Sequence, residues 1–263
     1  MSLSLWRNRQ LIMRMVTRDI TGRYRGSAMG LLWSFFNPLL MLVIYTFVFS
    51  VIFGARWGVD GTNGRGDFAL LLFAGMIMHG LFSECLNRAP GLILANVNYV
   101  KKVIFPLEIL SWVSLGSALF HACISLAVLL IAQLILRHSI PWTVMLFPLV
   151  MLPLILASIG AVWFVSALGV YVRDIGQITG IFTTALLFLS GVFYPISALP
   201  LHYQKWMRLN PLAYIIEESR NTLIFGQLPD FGRLAICTAI ALCIAWLGFL
   251  WFQRTRKGFS DVV

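Results

Sequence analysis

Long apolar stretches without charge follow one another along most of this 263-residue chain. A helix needs about 20 apolar residues to cross the hydrocarbon core of a bilayer. Six stretches free of Asp, Glu, Lys and Arg come near or exceed that length: residues 31–53, 68–82, 109–136, 144–172, 175–194 and 234–252. The pattern therefore predicts an all-α integral membrane protein with six transmembrane helices.

The second stretch is short for a span, and we expect its helix to continue to about residue 87. Glu84 would then lie on the helix and face protein or water rather than lipid. Basic residues give the orientation: the tails and loops on the predicted inner side hold 13 Lys and Arg, and those on the outer side hold 7. This excess predicts that both termini are cytoplasmic, with residues 256–263 as a cytoplasmic tail.

Residues 1–30 precede the first span and predict an amphipathic helix in the membrane interface. One side of the helical wheel is apolar, with Leu5, Ile12, Met15, Val16 and Ile20. The other side is basic, with Arg7, Arg14, Arg18 and Arg25. Arg9, Asp19 and Arg23 interrupt this two-sided pattern, which leaves a simple orientation signal as the alternative.

Two connecting segments are too long for simple turns. Residues 89–106, between spans two and three, contain breaks at Pro90-Gly91 and Pro106 that favour a short cytoplasmic helix parallel to the membrane. Residues 195–233, between spans five and six, are unusually apolar and predict outer helices. The helix at 212–225, ended by Gly226, would dip back into the bilayer, the alternative being a compact extracellular cap.

The amino-acid composition distinguishes between lipid and nucleic acid as partners of the chain. Hydrophobic residues make up 59% of the chain, charged residues only 11%, and the formal net charge is +10. A basic chain of this apolarity is better matched to anionic lipid headgroups than to nucleic acid, so no nucleic-acid partner is expected.

The sequence lacks the motifs that are typical of nucleotide hydrolysis, metal binding and acid–base catalysis. It contains no G-x-x-x-x-G-K-[ST] phosphate loop, so any ATP site must belong to another polypeptide. The ten carboxylates are scattered, and no histidine box indicates a metal site or catalytic residues. His79 and His121 are the ionisable histidines within the apolar stretches, and we interpret them as hydrogen-bonded packing residues rather than a proton relay.

Seven short motifs occur in order along the chain, from about residue 5 to residue 255. They are Arg23-Tyr-Arg-Gly-Ser27, Gly30-Leu-Leu-Trp33, Asn37-Pro-Leu39, residues 96–106, Tyr171-Val-Arg-Asp174, Phe193-Tyr-Pro195 and Asn210-Pro-Leu212. Together they resemble the permease subunit of ABC-type polysaccharide exporters, the type-2 permeases that move O-antigen, capsular polysaccharide or teichoic acid.

The resemblance implies a transport subunit, not an enzyme, in the bacterial inner membrane. It implies a homodimer with a glycan channel along its interface, driven by two copies of a separate ATP-binding subunit. ATP and Mg would be bound by that subunit, with no cofactor in this chain. The substrate would be a lipid-linked polysaccharide.

The resemblance also implies roles for particular residues. Docking to the ATPase would involve Asn96, Asn98, Tyr99, Lys101 and Lys102, and the cytoplasmic interface helix would carry Arg7, Arg14, Arg18 and Arg25. Aromatic rings can stack on sugars without binding any one hydroxyl tightly. The candidate channel residues on spans one and five are therefore Trp33, Phe36, Tyr45, Phe188 and Tyr194. The outer gate helices would carry Tyr214, Glu217, Glu218 and Arg220.

Two other functions remain open from the residues alone. A type-2 permease for drugs or lipids would share this topology. A membrane transferase that processes polyprenyl-linked sugars would instead depend on a single carboxylate or histidine.

Overall fold

The computed structural model describes residues 6–52, 65–101 and 105–262, and within these ranges the chain contains no strand. The α-helices are α1 (Arg9–Arg23), α2 (Trp33–Tyr45), α3 (Arg65–Arg88), α4 (Val97–Val100), α5 (Ile109–Arg137), α6 (Phe147–Tyr171), α7 (Ile175–Leu189), α8 (Leu201–Leu209), α9 (Pro211–Arg220), α10 (Phe231–Thr255) and α11 (Phe259–Val262). Short 3₁₀ segments are Gly30–Leu32, Leu94–Asn96, Trp142–Leu146, Ile196–Ala198 and Arg256–Gly258, and short π-helical segments are Thr46–Ile52 and Asn221–Phe225.

Five of these helical segments are long and apolar enough to cross a membrane. They are Gly30–Val48, Gly66–Arg88, Ile109–Arg137, Trp142–Tyr171 and Phe231–Gly258. The prediction of an all-α integral membrane protein is thereby confirmed, whereas the count of six spans also requires α7, which is shorter.

Two spans differ in length from the apolar stretches that indicate them. As expected, the second span continues past the apolar stretch 68–82, in a 24-residue helix that ends at Arg88. The predicted fifth span, residues 175–194, exceeds the 15-residue helix α7. That helix ends at Leu189, and Gly191 follows with a φ of +65°, a left-handed conformation that glycine adopts readily.

Helices α6 and α10 pack with their backbones in close contact. A Cβ atom on Gly160 would lie 2.6 Å from the carbonyl oxygen of Ile244, and a Cβ atom on Gly248 would overlap the carbonyl oxygen of Gly160. Small residues allow helices to approach this closely, and van der Waals packing then holds them together in lipid. Trp163 of α6 is fully buried beside this contact.

Two groups of charged residues mark the two ends of the bundle. At one end, called here the basic end, α1 and the end of α3 meet through Glu84 and Arg23. At the opposite end, called the distal end, Arg137 pairs with Asp67 at 2.6 Å. From Glu84 to Asp67 along α3, and from His121 to Arg137 along α5, the distance is about 25 Å at 1.5 Å per residue, close to the thickness of a hydrocarbon core.

The segment between α7 and α10 returns toward the interior before it reaches the distal end. Asn210 donates a hydrogen bond of 2.9 Å to the carbonyl oxygen of Leu189 at the end of α7, and its side chain caps α9. The first turn of α9 lines an apolar cavity together with Phe82 and Leu154 of α3 and α6. Just beyond α9, the carbonyl oxygen of Thr222 accepts a hydrogen bond from Thr143 in the 3₁₀ segment before α6, so α9 runs from the bundle interior to the distal end.

Candidate functional site: the junction at the basic end

The helix α1 is bound to α3 by two ion pairs. Nη2 of Arg23 lies 2.5 Å from Oε1 of Glu84, and Nη2 of Arg88 lies 2.7 Å from Oδ1 of Asp19. These are the same Asp19 and Arg23 that interrupt the amphipathic pattern in the sequence. Their side chains form ion pairs with charged residues of α3. The helix α1 therefore has a third side, which faces protein and carries charged side chains.

Glu84 is shared between α1 and α5. Besides its contact with Arg23, its carboxylate lies 3.0 Å from Nδ1 of His121. Tyr24 contacts the other ring nitrogen of His121 at 3.2 Å. Glu84 therefore faces protein, as expected, and His121 is hydrogen bonded within the bundle.

Asp19 accepts hydrogen bonds from two other helices. Both of its oxygens accept from Arg88, and Oδ2 also accepts from Ser117 of α5 at 2.7 Å. Burial raises the pKa of this carboxyl, but the bonds from Arg88 and Ser117 outweigh burial and hold the pKa of Asp19 below its ordinary value of 3.8. The ionised form of Asp19 is thus the form that holds α1 in place.

Apolar contacts complete the docking of α1. Met15 and Ile20 are buried, and Ile12 and Val16 are half-buried. A Cβ atom on Gly116 of α5 would lie 2.7 Å from Cγ2 of Val16, so a glycine at this position allows α1 to lie directly on α5.

The structure brings one predicted interface arginine to one predicted coupling residue. Nη1 of Arg18 donates a hydrogen bond of 3.0 Å to the hydroxyl of Tyr99 on α4. The Tyr99 ring stacks on Phe105, with 4.3 Å between centroids. The predicted interface helix and coupling segment therefore form one junction, which comprises α1, α4 and the adjoining ends of α3 and α5.

The other predicted residues of these two segments differ in their positions. Arg7, Arg14 and Arg25 are exposed and do not join the ion pairs with α3. Among the predicted coupling residues, Asn98 and Lys101 are exposed, and Lys102 lies outside the described residues. Asn96 instead donates its side-chain amide to the carbonyl oxygen of Leu92, a bond that shapes its own turn.

The candidate channel aromatics lie in two places. Trp33, Phe36 and Tyr45 are exposed or half-buried along α2, a helix with few buried residues. Phe188 is exposed at the end of α7, where its carbonyl oxygen accepts a hydrogen bond of 2.6 Å from the Tyr194 hydroxyl. Aromatic faces are thus available on both helices, while their role in a channel stays a prediction.

The candidate gate residues of α9 are mostly turned inward. Glu217 is exposed, whereas the buried side chain of Glu218 accepts from the backbone of Asp230 at 3.4 Å. The Tyr214 hydroxyl donates to the carbonyl oxygen of Asp230 at 3.2 Å. These two contacts join α9 to the start of α10.

Arg220 has a structural position that the sequence does not indicate. Its buried guanidinium donates to three backbone carbonyl oxygens, those of Leu71 at 2.8 Å, Gly191 at 2.9 Å and Val192 at 2.7 Å. Gly191 and Val192 lie in the turn after α7, where carbonyls otherwise lack donors inside an apolar bundle, and Leu71 lies within α3. Arg220 therefore joins α9 to α3 and to the turn after α7, and any gating role would be exercised through these contacts.

Sequence reasoning missed Arg88 and Ser117, which hold Asp19, since nothing in the sequence pairs residues 69 and 98 positions apart. In the part of the chain that the structure describes, no group of three or more His, Cys, Asp or Glu side chains is arranged to hold a metal ion.

Comparison with known proteins places this architecture in a family. A family model described as "ABC-2 type transporter" matches residues 10–224. The chain is 25% identical to the O-antigen export system permease protein RfbA of Myxococcus xanthus, over 98% of this chain and 97% of that one. It is 24% identical to the polysialic acid transport protein KpsM of Escherichia coli, over 91% of each chain. It is also 25% identical to the capsule polysaccharide export inner-membrane protein CtrC of Neisseria meningitidis serogroup B, over 97% of this chain and 94% of that one.

Proposed function

The chain belongs to the ABC-2 type transporter family, and from this premise we propose that it is the permease subunit of an ATP-driven polysaccharide exporter. Its substrate is a lipid-linked polysaccharide of the O-antigen or capsule type, which it moves from the cytoplasm across the bacterial inner membrane. The observation that carries the proposal is the end-to-end similarity to permeases named for polysaccharide export.

The proposed assembly contains two copies of the chain and two copies of a separate ATP-binding subunit. Both termini lie in the cytoplasm, which puts the basic end on the cytoplasmic side, where an excess of Lys and Arg is typical. ATP and Mg bind to the partner subunit, and this chain contributes no cofactor.

The junction at the basic end supports a route for coupling. The exposed side of α4, with Asn98 and Lys101, is available to an ATP-binding subunit. A movement of α4 would reach α1 through the bond between Tyr99 and Arg18, and α1 is fixed to α3 and α5 by ion pairs. ATP-driven motion of the partner would thereby move the spanning helices.

The aromatic faces of α2 and α7 support a channel between two copies. Their side chains include Trp33 and Phe188, which are exposed on a single chain. A long hydroxyl-rich chain slides past stacking surfaces through weak repeated contacts, whereas a tight binding site would stall it.

Depletion of the chain in its host tests this proposal. Lipid-linked polysaccharide should accumulate in the cytoplasm and disappear from the cell surface, and the wild-type chain should restore export. Normal surface polysaccharide after depletion would contradict the proposal.

The two rival functions give different results in vitro. In the purified complex, glycan lipid should stimulate ATP hydrolysis and amphiphilic drugs should not; the opposite result would favour a drug or lipid permease. Sugar transfer by the chain without an ATPase, abolished by one carboxylate or histidine substitution, would favour a transferase.

A further inference from the structure

A cavity of about 340 Å³ lies within the junction at the basic end, between α1, α5 and the segment that leads from α3 to α4. Polar side chains from each of these elements line it: Arg18, Asp19, Arg88, Asn96 and Ser114. The volume is at the lower end of the range for small-ligand sites, about 300–1,000 Å³.

Two buried donors on the wall of this cavity have unused hydrogen-bonding capacity. Ser114 is 1% exposed, and its Oγ has no hydrogen-bond partner among the residues the structure describes. Nη1 of Arg88 also has no acceptor within those residues, and Oε1 of Glu84 is 3.9 Å away, too far for a hydrogen bond. Buried donors without acceptors are costly, so these groups indicate a ligand that supplies acceptor oxygens.

The charged side chains on the cavity wall favour an anionic ligand. Arg18 and Arg88 contribute two guanidiniums, whereas the single carboxylate, Asp19, is already bound by Arg88 and Ser117. An excess positive charge remains at the wall. Guanidinium groups bind phosphate oxygens especially well, because several N–H donors point in fixed directions.

The rest of the lining and the depth of the cavity favour a lipid as the source of the phosphate. Met15, Leu110 and Val113 provide an apolar side next to the two arginines. Arg88, on the cavity wall, is the last residue of α3 and lies beyond its apolar length, where lipid headgroups meet the hydrocarbon core.

We propose that this cavity binds the phosphate group of a membrane lipid, with Arg18, Arg88 and the hydroxyl of Ser114 as its donors. A phosphate held there joins α1, α3 and α5. Because Arg18 also binds Tyr99, an occupied site stiffens the contact between α1 and α4. The site does not depend on which substrate the chain transports.

Thermal unfolding of the purified full chain, together with any subunit that co-purifies, tests the site. Phosphatidylglycerol is titrated into the detergent solution, diacylglycerol with the same acyl chains serves as the phosphate-free control, and inorganic phosphate is titrated separately. The measured quantity is the half-saturating concentration, obtained by fitting the rise in Tm, which grows with the logarithm of ligand concentration, to mass action. Each variant is compared with its own ligand-free Tm, so a change in basal stability is accounted for.

Two pairs of variants each compare a residue that lines the cavity with a similar residue outside it. Arg18→Gln removes a charge from the cavity wall, and Arg9→Gln removes the same charge from an exposed position on α1 outside the cavity. Ser114→Ala removes the hydroxyl that lines the cavity, and Ser111→Ala removes a buried, equally unpartnered hydroxyl that does not line it.

We expect phosphatidylglycerol, and not diacylglycerol, to raise the Tm of the wild-type chain. Arg18→Gln should raise the half-saturating concentration about tenfold and Ser114→Ala about threefold, since hydrogen bonds to charged groups contribute more than neutral ones. Arg9→Gln and Ser111→Ala should match the wild type.

Other results would overturn the proposal or part of it. Equal half-saturating concentrations for Arg18→Gln and Arg9→Gln, or equal effects of the two lipids, would show that the cavity is not a phosphate site. A shift that depends on Arg18 and occurs only with inorganic phosphate would keep the phosphate site and overturn its membrane source. Normal surface polysaccharide in depleted cells would overturn the proposed function alone, since lipid binding by the purified chain is measured without transport.

Discussion

Arg18 on α1 donates a hydrogen bond of 3.0 Å to the hydroxyl of Tyr99 on α4, 81 positions further along the chain. The bond joins an arginine of the predicted interface helix to a residue of the predicted coupling segment. Since α1 is in turn fixed to α3 and α5, a force applied to α4 has a short path into the spanning helices.

Removal of the Tyr99 hydroxyl should weaken this path without unfolding the segment. Tyr99→Phe keeps the ring that stacks on Phe105 and loses only the bond to Arg18. We expect polysaccharide exported per ATP hydrolysed to fall roughly threefold, because a hydrogen bond at an exposed site contributes about 1 kcal/mol or less. Tyr203→Phe, on the exposed helix α8, is the control, and an unchanged ratio for Tyr99→Phe would exclude this bond from coupling.

Reversal of charge beside α4 should impair docking of the ATP-binding subunit. In the double variant Lys101→Glu and Lys102→Glu we expect export to fall several-fold while the chain still inserts, because the change is outside the spanning helices. Surface polysaccharide and membrane fractionation measure the two effects. The double variant Lys205→Glu and Arg208→Glu, at exposed positions on α8, provides the matched charge change. Normal export by the Lys101 and Lys102 double variant would remove these lysines from the coupling role.

The contribution of Asp19 should depend on pH. Its pKa is lowered in the folded chain, so its stabilisation is complete above the ordinary carboxyl pKa of 3.8 and is lost as the pH falls through the folded value. At neutral pH, Asp19→Asn should lower the free energy of unfolding by about 1–3 kcal/mol, since Arg88 loses a charged partner. Unfolding of the two proteins at a series of pH values checks this, and a difference that grows in acid would contradict it.

The sequence predicts most of the helices, because apolar length and the positions of proline and glycine are local properties. It does not predict which charged residues meet. A helical wheel that allows only a lipid side and a water side makes Asp19 and Arg23 exceptions to the amphipathic pattern. Both residues nevertheless bind residues of α3 that are more than 60 positions away. The sequence predicts Arg220 as a gate residue on an outer helix, whereas its acceptors are backbone carbonyls, which no side-chain pattern records.

Arg220 should be irreplaceable by lysine. A single ammonium does not reach three carbonyls that a planar guanidinium binds from separate nitrogens. We expect Arg220→Lys to lower the free energy of unfolding by about 2–3 kcal/mol, because buried acceptors lose their donors. Arg208→Lys on α8, which is exposed, should change it little; a similar Tm for both variants would contradict the role of Arg220 in joining α9 to α3.

Gly75 of α3 should be required for Arg220 to lie against the helix. A Cβ atom at this position would lie 2.7 Å from Nη2 of Arg220 and 3.2 Å from Ile216, so Gly75→Ala forces these side chains to move. We expect a loss of about 1–3 kcal/mol. Gly80→Ala is the matched control on the same helix, because no atom lies within 4 Å of its added Cβ and alanine favours helix, so it should be neutral or stabilising. Equal Tm values for the two variants would contradict this packing.

Purification of the tagged chain from its native host in mild detergent, with mass spectrometry of the co-purifying chains and an assay of ATP hydrolysis, tests the central claim most directly. The account predicts a stoichiometric partner that carries a G-x-x-x-x-G-K-[ST] phosphate loop, and ATP hydrolysis by the complex. A chain that purifies alone, without ATPase activity, would contradict it.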